Sequence, residues 1–215
     1  MNLAHARVYL GVIRAEEQRR SELLDRVDPN VGYDQWLFAD APFIGELCLV
    51  FLVALRHHVE RQLLHFAARA ADQGQPISRG QYEARVDELE NMKPSKLRST
   101  IEARLAVSGR LHYRAVEALR LLANAYKHNA RKEPPSGLLA HLGLNTALTY
   151  AELPESHELR KGLAGIVGLP DDAGHCQIAA GFVERVEAFL EDVQVHGRLS
   201  NVIMGRVVSL TDFAH

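Results

Sequence analysis

The stretch from Pro42 to Leu55, PFIGELCLVFLVAL, constrains this chain more than any other part of it. Coiled as a helix it is apolar nearly all round, so it has to be enclosed by other elements. Glu46 interrupts it and Arg56-His57-His58 closes it, leaving it short of the roughly 20 helical residues that cross a bilayer. The expectation is therefore a central core helix and no membrane association. Asp40-Ala41-Pro42 gives it a start signal, an N-cap acceptor with proline in the first turn, and the helical pattern runs on to about Ala71.

The rest of the chain supplies elements to surround that helix. Apolar Leu3, Val8, Leu10, Val12, Ile13, Leu23 and Leu24 among charged residues predict an amphipathic helix over 3–27. Ser78, with Gln81 three residues on, resembles a capping box for a helix over about 79–92. Lys93-Pro94-Ser95 opens a helix to about Val107, and Ser108-Gly109 separates it from a strong helix over about 110–129, stopped by Asn129 and Pro134-Pro135. Residues 136–153 carry no clear pattern. Ser156 caps a helix to Val167, and Leu169-Pro170-Asp171-Asp172 introduces the clearest amphipathic helix, with Ile178, Phe182, Val183, Val186, Phe189, Leu190 and Val193 at spacings of three and four. The tail from Asn201 to Leu210 docks as either type of element. The pattern sums to about five to seven helices, an all-α chain of one domain over 1–215.

Composition excludes disorder: 215 residues at 47% hydrophobic and 24% charged suffice for a large core. Cys48 and Cys176, far apart in apolar surroundings, read as small buried hydrophobes rather than a disulfide or metal pair. Residues 1–13 lack the features of a signal peptide, and a reducing cytoplasm is expected. His57, His58 and His65 share the central helix, but without Glu-x-x-His pairs they point to surface or interface roles, and no metal is expected. Trp36 sits in a loop and is expected to seal the core. No Gly-rich phosphate loop, His-Glu-x-x-His, Cys-x-x-Cys or Gly-x-Ser-x-Gly occurs, which disfavours P-loop NTPases, zinc proteases, thiol redox enzymes and α/β-hydrolases, and no cofactor is implied.

The net charge of −2 conceals a segregation. From Lys93 to Lys132 there are ten Lys or Arg against two acids, a local +8, while the remainder holds fifteen against twenty-five. Such a strip can draw a polyanion to one surface, and it can equally pack beside acidic helices. Within it, Tyr113, Glu117, Arg120, Asn124, Lys127, His128 and Arg131 share a helical stripe about 100° wide, with Leu111, Ala115, Leu119, Leu122 and Tyr126 opposite. Guanidinium, amide, ammonium and imidazole on one face can hold phosphate and move a proton. The same cations near a helix C-terminus also satisfy its exposed carbonyls and negative dipole end.

Ala-Asn-Ala-Tyr-Lys-His, 123–128, late on a helix and preceded by Leu-Arg-Leu-Leu, resembles the signature helix of the HEPN domain superfamily, and Ala54 to Glu60 is similar in texture to the second helix of such domains. The resemblance covers about 40–130. It implies an up-and-down four-helix bundle, commonly dimeric, and says nothing of 136–215, where the helical pattern predicts a C-terminal helical extension. Many members of the family are metal-independent ribonucleases of toxin–antitoxin, abortive-infection or RNA-processing systems. Their motif is Arg, four to six residues, then His, often with Asn directly after the Arg. Here His128 and Asn124 match while Ala123 occupies the Arg position, and no Arg in the sequence precedes a His at that spacing.

The resemblance implies that His128 would act on the ribose 2′-hydroxyl and that Arg120 or Lys127 would have to replace the missing cation. Losing one preorganised charge donor commonly costs on the order of 10²–10³ in rate, so a weak or inactive member is expected. That member binds RNA or nucleotide, with Asn124, Arg131, Lys132 and Arg114 as the phosphate contacts, and forms a homodimer. The alternatives are a competent ribonuclease using His128 with Arg120 or Lys127, and a protein-interaction module with a protein partner and no nucleic acid.

Overall fold

The computed structural model describes residues 3–24, 26, 43–70, 74–127, 136–145, 148, 153, 154 and 156–203. Among these the chain is all-α, with eight α-helices and two strands of two residues each. The helices are α1 (Leu3–Leu24), α2 (Phe43–Arg69), α3 (Arg79–Glu90), α4 (Pro94–Leu105), α5 (Tyr113–Lys127), α6 (Ser136–Leu142), α7 (His157–Val167) and α8 (His175–His196), and the strands are β1 (Ile77–Ser78) and β2 (Val202–Ile203). No helix among the described residues is long and apolar enough to cross a membrane. The start signal at Asp40-Ala41-Pro42 and the loop position of Trp36 lie outside the described residues.

The chain divides into two compact units, one of residues 1–59 and 114–188, the other of 60–113 and 189–215. In the first, the apolar run of α2 is buried at Cys48, Leu49, Phe51, Leu52 and Leu55, as its composition requires. The same unit also buries Ala6 and Leu10 of α1, Leu119 and Leu122 of α5, Leu159 and Leu163 of α7, and Phe182 and Val186 of α8. Polar contacts fix how these helices meet. Arg7 of α1 pairs with Glu187 of α8, and the Tyr126 hydroxyl of α5 donates to the Glu46 carboxylate of α2. Arg185 of α8 donates twice to the Val167 carbonyl, Nε at 3.2 Å and Nη2 at 2.9 Å. That carbonyl ends α7, where Gly168 takes the left-handed φ of 77° common just past a helix. The stripe read from Ile178 to Val193 is buried at every one of its seven positions.

In the second unit the last turn of α2 is satisfied from outside the helix, since its final carbonyls have no intrahelical donor. Arg104 donates to the Ala67 carbonyl at 3.2 Å, Arg85 to that of Ala68 at 3.5 Å, and the Ser200 amide to that of Arg69 at 3.1 Å. Arg69 Nε returns a bond to the Ser200 carbonyl at 3.0 Å, which leads the chain into β2, paired parallel to β1 with Ile77 opposite Val202. The Ser78–Gln81 capping box at α3 is present in both directions. Two boundaries differ from expectation. Ala106, with a φ of 48°, ends α4 at Leu105, and His112, with a φ of 58°, holds the next helix off until Tyr113. Leu111 therefore precedes α5 and is 55% exposed rather than part of its packed side.

Candidate functional site

The stripe on α5 faces partly covered surroundings rather than open solvent: Tyr113, Glu117, Arg120 and Asn124 are all half-buried. Arg120 does not stand free. Its Nε and Nη2 donate to the two carboxylate oxygens of Glu117 at 2.8 and 2.5 Å, with the side chains 22% and 19% exposed. A guanidinium held through two nitrogens by a carboxylate one turn away has already given up the paired geometry that phosphate would use. The Asn124 side chain has no hydrogen-bond partner among the described residues. Arg114, exposed at the start of α5, donates to the His141 carbonyl at 3.2 Å, and the His141 ring bonds the Arg114 carbonyl at 2.9 Å. That reciprocal clamp seats α6 against α5.

Lys127 ends α5, its side chain outside the described residues, and His128, Arg131 and Lys132 lie wholly outside them. Ala123 is described and is 1% exposed. It sits with Ala115, Ala118, Leu119 and Leu122 on the buried side of α5, so the position that carries Arg in the family motif points into the core.

The basic segment sorts itself by partner. Arg104 and Arg110 serve backbone carbonyls, Arg110 reaching that of Leu105 at 2.9 Å, while Arg114 caps α6 and Arg120 pairs with Glu117. Lys93, Lys96 and Arg98, at the start of α4, are exposed and have no ion pair or side-chain hydrogen bond among the described residues. Glu102, four residues beyond Arg98 and well spaced to neutralise it, instead accepts from the Ser108 amide at 3.1 Å and from the Ser108 hydroxyl.

The helix stripe gave no sign of a second group, in the first unit. The thiols of Cys48 and Cys176, remote in sequence, have their sulfurs 3.9 Å apart. Cys48 also lines a small cavity with Gly45, Pro154, Arg160 and His175. Burial first, and then the nearby Arg160 charge, pull the His175 imidazole down to about 4, so it is neutral at ordinary pH. The signal in the sequence was that each cysteine begins a core-facing series, Cys48 with Leu52 and Leu55, Cys176 with Ala179 and Val183. Among the described residues no three His, Cys, Asp or Glu side chains gather to hold a metal. No family model, curated protein or solved structure matches this chain.

Proposed function

We propose that this chain is a HEPN-like RNA- or nucleotide-binding protein, weakly active or inactive as a nuclease, of a defence or toxin–antitoxin type system. The observation that carries the reading is the trio of cations at the start of α4 that have no ion pair among the described residues. A helix N-terminus carries partial positive charge, so Lys93, Lys96 and Arg98 gain nothing from the helix they begin, and α4 has no acid in its first turn to offset them. The dipole argument that accounts for cations at a C-terminus runs the other way here, and a polyanion is the partner that makes the cluster favourable. Against cleavage stand the two-pronged commitment of Arg120 to Glu117 and the burial of Ala123. These weigh against the reading in which Arg120 serves His128 as a catalytic cation, and leave Lys127 as the cation that a competent nuclease would use. An up-and-down HEPN-like bundle with C-terminal helices is part of the same proposal.

The test is a mobility shift with a mixed RNA pool in EDTA, run on the wild type, on His128→Ala and on the triple variant Lys93→Ala, Lys96→Ala, Arg98→Ala. Intact RNA, a shift for the wild type and a loss of roughly 2 in the log–log salt slope for the triple variant are expected, since each phosphate contact on a single strand contributes about 0.7. No wild-type shift, or one that the triple variant retains in full, rejects the reading. Cleavage abolished by His128→Ala restores the nuclease. One observation favours assembly: Val8, Tyr9 and Val12 are 67%, 61% and 64% exposed on one side of α1. A homodimer or a protein partner would cover them, and light scattering on the purified chain distinguishes a dimer from a monomer.

A further inference from the structure

Cys48 lies in the second turn of α2 and Cys176 is the second residue of α8, both in the first unit. They are 128 residues apart in sequence, free, and 3% and 2% exposed, with their sulfurs 3.9 Å apart. A disulfide requires about 2.05 Å between sulfurs, so closing the gap takes a movement of about 2 Å, within reach of side-chain rotation on two helices already in contact. The hydrogen bond to Cys48 and then burial keep the Cys176 thiol protonated, with Glu17 of α1 adding to the effect. Either sulfur can donate in this contact, and the roles of the two divide on access: Cys48 lines a cavity and Cys176 does not.

Cys48 also faces space. The cavity it lines has a volume of about 20 Å³, enough for one water-sized molecule. Arg160 in its wall has a buried Nε with no hydrogen-bond partner, and neutral His175 stands beside it. An unpartnered guanidinium nitrogen in a mostly apolar wall asks for a small polar guest, and the guest would sit against a cysteine.

We propose that Cys48 and Cys176 form a reversible dithiol–disulfide site, in which a hydroperoxide admitted to the Arg160–His175 cavity oxidises Cys48 and Cys176 resolves the product. With hydrogen peroxide, the Cys48 sulfur attacks one oxygen and the O–O bond breaks. The leaving hydroxide takes the thiol proton and departs as water, leaving a sulfenic acid. Arg160 steadies that departing anion. The Cys176 sulfur then attacks the Cys48 sulfur, the S–O bond breaks, and the hydroxyl leaves with the Cys176 proton as a second water. The two thiols lose two electrons and two protons, and the peroxide is reduced to two waters. The product ties α2 to α8. Reaction is slow beside that of an exposed cysteine, because Cys48 is 3% exposed and the oxidant has to enter the cavity to reach it.

The reduced full-length protein is treated with hydrogen peroxide, unfolded in an alkylating agent and analysed by intact mass and peptide mapping. The expected result is a mass loss of two hydrogen atoms, a peptide pair joining Cys48 to Cys176, and reversal by dithiothreitol. In Cys176→Ala the expected product is a Cys48 sulfenic acid trapped by dimedone, and Arg160→Gln slows the wild-type conversion several-fold. Two alkylatable thiols surviving in the folded wild type, under peroxide that oxidises the unfolded chain, overturn the proposal without reliance on any variant. So does oxidation that yields only cross-links between chains.

Discussion

Glu117 grips Arg120 through both of its carboxylate oxygens, at 2.8 and 2.5 Å, one turn apart on α5 and with neither side chain more than 22% exposed. Arg120, the residue that the HEPN resemblance offers in place of its motif Arg, is thereby engaged by a carboxylate on its own helix. The pair gives Arg120 a structural role, which removing either partner tests.

Arg120→Gln is expected to cost about 1 kcal/mol of stability, the upper end for an ion pair with some solvent contact, and, if the chain binds RNA as proposed, to leave that affinity unchanged. Glu117→Gln, which removes the carboxylate from the same pair, costs a similar amount. Urea unfolding with an unchanged m-value reads both losses of stability, and mobility shifts read the affinity under the proposed RNA-binding reading. An Arg120→Gln variant that lost most of its RNA affinity would show that the guanidinium leaves Glu117 for phosphate.

What could be read from the sequence follows the reach of the interaction responsible. The ends of α3 and α7 were legible because Ser78 and Ser156 accept from amides three residues away, at Gln81 and Leu159. The buried stripe of α8 was legible because helical periodicity is local. Helix α6 was not, since its seven residues are held by Leu138 burial and by the Arg114–His141 clamp across 27 positions. The pairing of β1 with β2 and the meeting of Cys48 with Cys176 join points still more distant. At the candidate site the stripe was visible as a set of chemical types, but its commitments were not. A spacing of three from Glu117 to Arg120 fits a salt bridge as well as a binding face, and only the observed contacts decide between them.

The caps themselves are testable. Ser156→Ala removes the acceptor for the Leu159 amide, at 3.1 Å, and is expected to destabilise the first unit by about 1 kcal/mol. Ser156→Asp, which retains an acceptor and favours the helix dipole, restores most of that. Thermal or urea unfolding of the two variants checks it, and equal loss in both would show that the hydroxyl is not the capping group.

Gly45 and Gly11 make opposite predictions for the same substitution. A Cβ on Gly45 would run into the Pro154 carbonyl, lying 3.1 Å from its carbon and 3.2 Å from His175 Cε1. Gly45→Ala should therefore cost about 1–3 kcal/mol through overpacking. Gly11, exposed on α1 with nothing within 4 Å of an added Cβ, should gain about 0.5–1 kcal/mol as Ala. Denaturant midpoints of the pair decide the matter, and a neutral Gly45→Ala would mean that α2 does not approach Pro154 so closely.

Acid should weaken the fold through His175. Burial, then the charge of Arg160, lower this imidazole from 6.5 to about 4. Between those values the unfolded chain binds a proton that the folded chain refuses, so stability falls as pH drops from about 6.5 towards 4 and is unaffected by this residue above that window. Allowing for its partial solvent contact, the loss is on the order of 2 kcal/mol. His65, lowered by burial and then by Arg61 against the opposing pull of Glu90, adds a slope of the same sign, so the wild-type curve alone does not isolate His175. The difference between the wild type and His175→Gln does: the variant should be flatter across the window, and the two curves should run parallel above it. Following the His175 ring proton by NMR gives the direct reading, and a midpoint near 6.5 would remove both the depressed imidazole and the acid sensitivity assigned to it.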